Sequence, residues 1–275
     1  RPRIGSPYDL GLDRLGLQVD HLVTRVEEIL RPRRRLRVRD GYPSGTRISL
    51  ARLMQFEADP RHYTTLWSRT SLPERRDAAV LLLVDLSGSM RGDKTQAALL
   101  GTILLAETCT RLGVPCGVYG FQDEVIPLLA IGDPLDVEAR QALASLPAEI
   151  EGTRPGGHNC PGYNDDGPCL ATAAGLLRER PESDRLLIVI SDGLPEGRHS
   201  NEDDLRRAIR DLTRPPVDLQ LTALGLGDDT DHVTEFYPHA IANVPVNEFA
   251  TRIGDLLEQA LVGSPPPHSR HEEIS

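Results

Sequence analysis

Carboxylate and hydroxyl side chains follow two apolar runs of the sequence. The run AVLLLVDLS at 79–87 includes Asp85 and ends on Ser87, and Ser89 follows two residues later. The run RLLIVISD at 185–192 ends on Asp192. Hard divalent cations such as Mg²⁺ take oxygen ligands of this kind, near octahedral geometry with several waters retained. These residue types therefore predict a divalent-cation site.

The two runs have the composition of buried parallel strands. The run at 79–87 is short for a helix and rich in strand-forming residues, as expected of a central strand covered on both faces. Similar runs lie at 117–121, 217–227 and 239–244, and helical stretches lie at 93–112, 135–146, 167–180, 202–213 and 246–262. This alternation predicts an α/β fold with a doubly wound, mostly parallel sheet flanked by helices. Ligands bind at the carboxyl ends of such strands, so the polar residues that end the two runs should meet there.

The residues LLVDLSGSM resemble the metal-ion-dependent adhesion site (MIDAS) of von Willebrand factor A domains. The family signature is Asp-x-Ser-x-Ser, a third-loop residue and a distant Asp. Asp85, Ser87 and Ser89 match its first part, and Asp192 in VISDG matches its last. The resemblance implies the Rossmann-like von Willebrand A fold and a bound Mg²⁺, or Mn²⁺ or Ca²⁺ in its place. It also implies that the serines touch the metal directly, that the aspartates act mostly through water, and that a carboxylate of a partner protein completes the metal shell.

The third loop departs from the family pattern, in which a Thr precedes a helix. In GYNDDGPCLATAAGLL the matching position is Asn164, and Asp166 is the alternative. With Asn164, two carboxylates balance a dication, which is then able to accept a third carboxylate from a partner. With Asp166 the site has one more negative charge and is a poorer receptor for an anion. We favour Asn164, and both residues remain candidates.

One branch of the family is matched more closely. The segments YPSGTRISLARLMQF, DLSGSMRG, NDDG, LLIVISDGLP and LGLGDDTDHVTEFYPHAI together resemble the C-terminal region of the large subunit of aerobic cobaltochelatase, over roughly 35–262. Residues 123–166 look unlike it and carry the insertion GTRPGGHNCPGYNDDG. The resemblance implies an adaptor that works beside an AAA+ ATPase of the MoxR or chelatase type. The alternative it implies is a non-catalytic subunit of a cobalt or magnesium chelatase complex.

Composition excludes several other classes of function. The formal net charge of −10 argues against a nucleic-acid binder. We interpret the arginine run at 31–39 as a solvated linker face, and the alternative is a contact with an acidic surface or a nucleic-acid backbone. No apolar run approaches the roughly 20 residues that span a bilayer. With four cysteines and no secretory leader, we expect a cytoplasmic protein that needs no disulfide. The sequence begins at Arg1, which suggests a fragment or the C-terminal part of something larger.

The sequence does not predict an enzyme. A phosphohydrolase of the haloacid dehalogenase type needs a second acid two residues after its first Asp, and that position is Ser87. Neither a nucleophile elbow nor a glycine-rich phosphate loop is present. We therefore expect no catalytic activity of the chain by itself.

The domain organisation follows from these patterns. Residues 15–30 have the spacing of an amphipathic helix that Pro32 ends, and a second short helix is expected over 49–56. We predict a helical and basic N-terminal extension at 1–74, a von Willebrand A domain at 75–263 and a disordered tail at 264–275.

Overall fold

The centre of the structure is a fully buried strand, β4 (Ala78–Asp85). A computed structural model describes residues 6–30, 37–71, 78–153, 164–192, 195, 197–215 and 217–263. Parallel neighbours flank β4 on both sides, namely β5 (Cys116–Phe121) and β7 (Asp184–Ser191). Because helices cover both faces of such a sheet, every residue of β4 is apolar until Asp85 at its carboxyl end.

The sheet has six strands in the order β6-β5-β4-β7-β8-β9. The outer strands are β6 (Val125–Leu129), β8 (Gln220–Leu226) and β9 (Ala240–Val244). β6 runs antiparallel to β5, and the other pairs are parallel. The predicted α/β fold with a mostly parallel sheet is confirmed, and β6, which was not predicted, adds an antiparallel edge.

Helices connect the strands and cover both faces of the sheet. The helices other than α2, which is given below, are α1 (Pro7–Leu30), α3 (Asp93–Leu112), α4 (Val137–Ala144), α5 (Leu146–Glu151), α6 (Asp166–Arg178), α7 (Glu202–Thr213), α8 (His232–Phe236) and α9 (Phe249–Gly263). On one face, apolar side chains of α6, α7 and α8 share one buried cluster with Ala79, Leu81 and Leu83 of β4. α3 and α9 pack together, and a methyl group on Gly101 would collide with Ile253. The predicted helices at 93–112 and 202–213 have the bounds of α3 and α7.

The N-terminal helix α1 packs against α3 and α9. Its buried face carries Tyr8, Leu15, Val19, Leu22 and Val26. A methyl group on Gly11 would meet Ile103 of α3, and one on Gly254 of α9 would meet Leu22. The helix was predicted from 15 to 30, and it begins eight residues earlier because Ser6 and Asp9 cap each other's backbone N–H groups.

A buried polar contact holds the start of α1. The Tyr8 hydroxyl donates to Glu107 Oε1 over 3.0 Å, and Arg140 pairs with the same oxygen over 3.0 Å. Burial raises the pKa of Tyr8 well above its ordinary value, and the Glu107 carboxylate raises it further. The hydroxyl therefore stays protonated and remains a donor.

The chain divides into two compact units. The described residues up to Glu27 and those from Ala78 onward form the larger unit, and Glu28 to Ser71 form the smaller one. The predicted boundary at 74/75 lies between Ser71 and Ala78, but residues 6–27 of the predicted extension belong with the larger unit.

The smaller unit has a sheet that the sequence reasoning missed. Strands β1 (Arg37–Tyr42), β2 (Arg47–Ile48) and β3 (Trp67–Ser71) pair antiparallel in the order β1-β3-β2. The predicted helix at 49–56 is α2 (Leu50–Ala58). Most of the arginine run at 31–39 and all of the tail at 264–275 lie outside the described residues. Within the described part of the chain, no helix is both long and apolar enough to cross a membrane.

Replacing Tyr8 by Phe tests the anchoring of α1. The substitution removes the hydroxyl that donates a hydrogen bond to Glu107, so the free energy of unfolding should fall by about 1–2 kcal/mol. Urea denaturation measures the change. Tyr63→Phe removes the same atom from a side chain that is 65% exposed and should change stability by less than about 0.5 kcal/mol. Equal stability of Tyr8→Phe and wild type would show that this contact does not hold the helix.

Candidate metal centre

Two neighbouring strands deliver the candidate residues to one edge of the sheet. β4 ends on Asp85, and β7, which pairs with it directly, ends on Ser191 just before Asp192. The chain leaves β4 toward β5 on one side and later returns to β7 on the other, which makes this edge a topological switch point. Asp85, Ser87 and Asp192 are all buried.

Hydrogen bonds join the four residues predicted from these two strands. Asp85 Oδ1 accepts from the Ser87 backbone N–H over 2.7 Å. The hydroxyl oxygens of Ser87 and Ser89 lie 2.8 Å apart, and Ser89 Oγ donates to Asp192 Oδ1 over 2.7 Å. Residues more than a hundred positions apart in sequence therefore share one connected polar site.

The third loop brings both of its candidates to the same place. Asn164 is buried, and its side-chain amide donates to Asp85 Oδ2 over 3.5 Å. Asp166 is the first residue of α6 and is buried as well. Its Oδ2 atom has no hydrogen-bond partner among the described residues. The geometry therefore brings Asn164 and Asp166 together with Asp85 and does not choose between them.

Electrostatics at the site are dominated by buried carboxylates. Burial raises the pKa of Asp85 from 3.8 to about 7, and the charge of Asp192 adds to the shift, while hydrogen bonds from Ser87 and Ser191 oppose it. Burial also raises the pKa of Asp166 well above its usual range, with the Asp85 carboxylate as the next cause. Such carboxylates are stabilised by a proton or by a nearby cation.

Sequence reasoning missed Asp165, which lies between the two candidates of the third loop. Its Oδ1 accepts from the His199 backbone N–H over 2.9 Å and from Ser200 Oγ over 2.8 Å. A methyl group on Gly197 would lie 2.0 Å from that oxygen. Asp165 therefore connects the third loop to the segment that follows Asp192. The one sequence signal for this residue was its position in the polar triplet 164–166.

Gln122, which follows β5, was missed as well. The side-chain amide of Gln122 donates to the backbone carbonyl of Leu86 over 2.6 Å. The backbone carbonyl of Gln122 accepts from the Asp165 N–H over 2.8 Å. One residue thus fixes both the first and the third loop. No local pattern signals this role, because the partners are distant in sequence.

The third residue that sequence reasoning left out is Lys94, in the first turn of α3. Its ammonium group lies 2.5 Å from Asp192 Oδ2, and the Asp192 side chain is fully buried. Lys94 is the only lysine in the sequence, and this was the one sequence feature that could have drawn attention to it.

The donors suit a hard divalent cation. They are hydroxyl, carboxylate and amide oxygens, and one carboxylate oxygen of Asp166 has no partner in the described part of the chain. Within the same residues, no group of three or more His, Cys, Asp and Glu side chains has the arrangement of a metal site. A cation here would therefore depend on the serine hydroxyls together with the carboxylates.

Comparison with known protein families gives a match over residues 70–126 and 161–263. The matching family is described as "Cobalamin biosynthesis protein CobT VWA domain". The match covers more than half of the chain and includes both strands of the site. The chain belongs to this family. As expected, much of 123–166 lies outside the match. The upstream segment at 42–56, which was expected to belong to the resemblance, lies outside it as well.

One solved structure with a TM-score above 0.5 supports the same fold, and two further similar structures have scores just below that value. The PilB minor pilin of Streptococcus sanguinis is 12% identical, with a TM-score of 0.51 over 74% of this chain and 67% of that one. A von Willebrand factor type A protein of Catenulispora acidiphila is 13% identical, with a TM-score of 0.48 over 82% and 50%. Proximal thread matrix protein 1 from the mussel byssus, with zinc in its MIDAS motif, is 14% identical, with a TM-score of 0.49 over 68% and 48%. At these identities the likeness concerns the fold alone.

The chain spans about half of the mussel protein, 48% of its length. The activity and partners of such longer proteins therefore do not transfer directly to this chain.

Replacing Asp85 by Asn tests the buried charge. Because the pKa of Asp85 is raised on folding, the folded state binds more protons than the unfolded state between pH 3.8 and about 7. The contribution of this group to the free energy of unfolding therefore falls as pH rises through that window. Asn cannot ionise, so the stability of the variant relative to wild type should rise between pH 5 and pH 8 by on the order of 2–3 kcal/mol.

Urea denaturation at both pH values, in EDTA, measures this difference. Asn keeps the oxygen that accepts from the Ser87 N–H, so the comparison isolates the charge. A difference that stays constant with pH would mean that Asp85 ionises freely in the folded protein.

Proposed function

We propose that the chain is a divalent-cation-dependent protein-binding domain with an adaptor role and no catalytic activity of its own. The observation that carries the proposal is the connected site at the carboxyl edge of the sheet, where Ser87 and Ser89 join Asp85 to Asp192. Membership of the von Willebrand A domain family of CobT supports the same role.

The residues of the site have different roles in holding the cation. In the proposal, Ser87 and Ser89 present their hydroxyl oxygens to Mg²⁺, or to Mn²⁺ or Ca²⁺ in its place. Asp85 and Asp192 hold those hydroxyls and the loop backbone, and act on the cation through water. The third loop adds Asn164 or Asp166, both of which are buried beside Asp85.

The bound cation would supply a coordination position for a carboxylate of a partner protein. The chain's own contribution is to keep this position rigid. Gln122 holds the first loop through the carbonyl of Leu86, and Asp165 holds the third loop against His199 and Ser200. Preorganised ligands of this kind lower the cost of binding a partner.

The ligand role of Ser89 is tested by Ser89→Ala. If its hydroxyl holds the cation, Mg²⁺ affinity should fall by at least the roughly tenfold that loss of a supporting residue costs at a metal site. Isothermal titration calorimetry measures the affinity. Ser145→Ala is the matched control, because that hydroxyl donates to the Ala142 carbonyl between α4 and α5 and should leave Mg²⁺ binding unchanged. Full affinity in Ser89→Ala would remove the basis of the proposed site.

The partner that we propose is an AAA+ ATPase of the MoxR or chelatase type. Family membership supports this choice, since the family is named for cobalamin biosynthesis. The chain would couple the motor to a client, and an ATP-driven partner implies a cytoplasmic location.

Capture experiments test the partner. The immobilised chain should retain such an ATPase, purified from the same organism, in Mg²⁺ and release it in EDTA. Asp85→Ala should abolish capture while its circular dichroism spectrum stays that of the wild type. Equal capture by Asp85→Ala would contradict the adhesion mechanism but not the fold.

A non-catalytic subunit of a cobalt or magnesium chelatase complex is the second candidate, and the family description favours it. Copurification of a porphyrin-binding subunit with the chain and the ATPase would favour this candidate. Copurification of the ATPase alone would favour the general adaptor.

A further inference from the structure

Lys94 forms an ion pair inside the candidate metal site. Its ammonium lies 2.5 Å from Asp192 Oδ2, while Asp192 Oδ1 accepts from Ser89. The Asp192 side chain is fully buried, and that of Lys94 is 27% exposed. A cation of the chain therefore already pairs with one oxygen of a carboxylate that, in the proposed function, acts on the metal through water.

The position of this ammonium is built into the fold. Lys94 lies in the first turn of α3, directly after the loop that carries the two serines. Its carbon stem passes Gly227 at the end of β8, where an added methyl group would lie 2.8 Å from Lys94 Cε. Gly227 also has a φ of +90°, which favours glycine. A glycine at this position therefore leaves room for the lysine to reach Asp192.

The charges at the site indicate how the ion pair between Lys94 and Asp192 affects folding and metal binding. Asp85, Asp166 and Asp192 bring three buried carboxyl groups to the site, and Lys94 brings one positive charge to them. Removing one partner of a buried pair leaves the other charge uncompensated, which is strongly destabilising. Lys94 therefore stabilises the fold without metal. The same positive charge repels a divalent cation, and the ion pair competes for Asp192.

We propose that Lys94 is an internal counter-ion of Asp192 that sets the affinity of the site for divalent cations. It keeps the metal-free domain folded and makes metal binding weaker than the carboxylates alone would allow. This inference rests on the proposed function, because it presupposes that the site binds a divalent cation.

Charge-removing variants test the inference, with Mn²⁺ as the probe. Lys94→Gln keeps a hydrogen-bond donor for Asp192 and removes the charge, and Lys94→Met removes both. Each should bind Mn²⁺ on the order of tenfold more tightly than wild type by calorimetry. Lys94→Arg keeps the charge and should bind nearly as wild type. Arg252→Met removes a positive charge on α9 that pairs with Glu248, so it controls for overall charge and should also bind as wild type.

Thermal unfolding provides a readout that does not depend on affinity. In EDTA, Lys94→Met should unfold at a lower temperature than wild type, and Mn²⁺ should restore most of the loss. Weaker or unchanged Mn²⁺ affinity in both charge-removing variants would overturn the inference while leaving the metal site in place. Absence of Mn²⁺ binding in wild type and variants alike would overturn both.

Discussion

The site depends on the cost of keeping carboxylates in a buried environment. Asp85 ends a strand that is buried along its whole length, and burial raises its pKa to about 7. Asp166 has the same environment and the nearby charge of Asp85. Hydrogen bonds offset part of this cost, and Lys94 offsets the charge of Asp192. A divalent cation would complete the compensation, which is why we regard the arrangement as a binding site.

The doubly wound sheet makes this arrangement possible. β4 and β7 lie side by side and end at the same edge, so their loops meet although they are far apart in sequence. Gln122 and Asp165 then fix the loops through backbone contacts. The fold and the site are therefore coupled: the buried apolar strands set where the oxygens are, and the loop contacts set how rigidly they are held.

Much of this was predictable from the sequence, and the remainder has physical reasons. The strands of the parallel sheet have strong apolar runs, so their order along the chain and the meeting of Asp85 with Asp192 could be inferred. β6 was missed because it is a short edge strand with Pro127 at its centre, and a proline within an apolar run argues against a strand. The roles of Lys94 and Asp165 come from contacts between distant segments, which local spacing does not encode.

Anomalous diffraction from crystals of the chain grown with Mn²⁺ tests the central claim most directly, because it locates the cation itself. Our account predicts a single strong peak within coordination distance of the Ser87 and Ser89 hydroxyl oxygens, beside Asp85 and Asp192. A Mn²⁺ peak elsewhere on the molecule, or none at this edge of the sheet under saturating Mn²⁺, would contradict it.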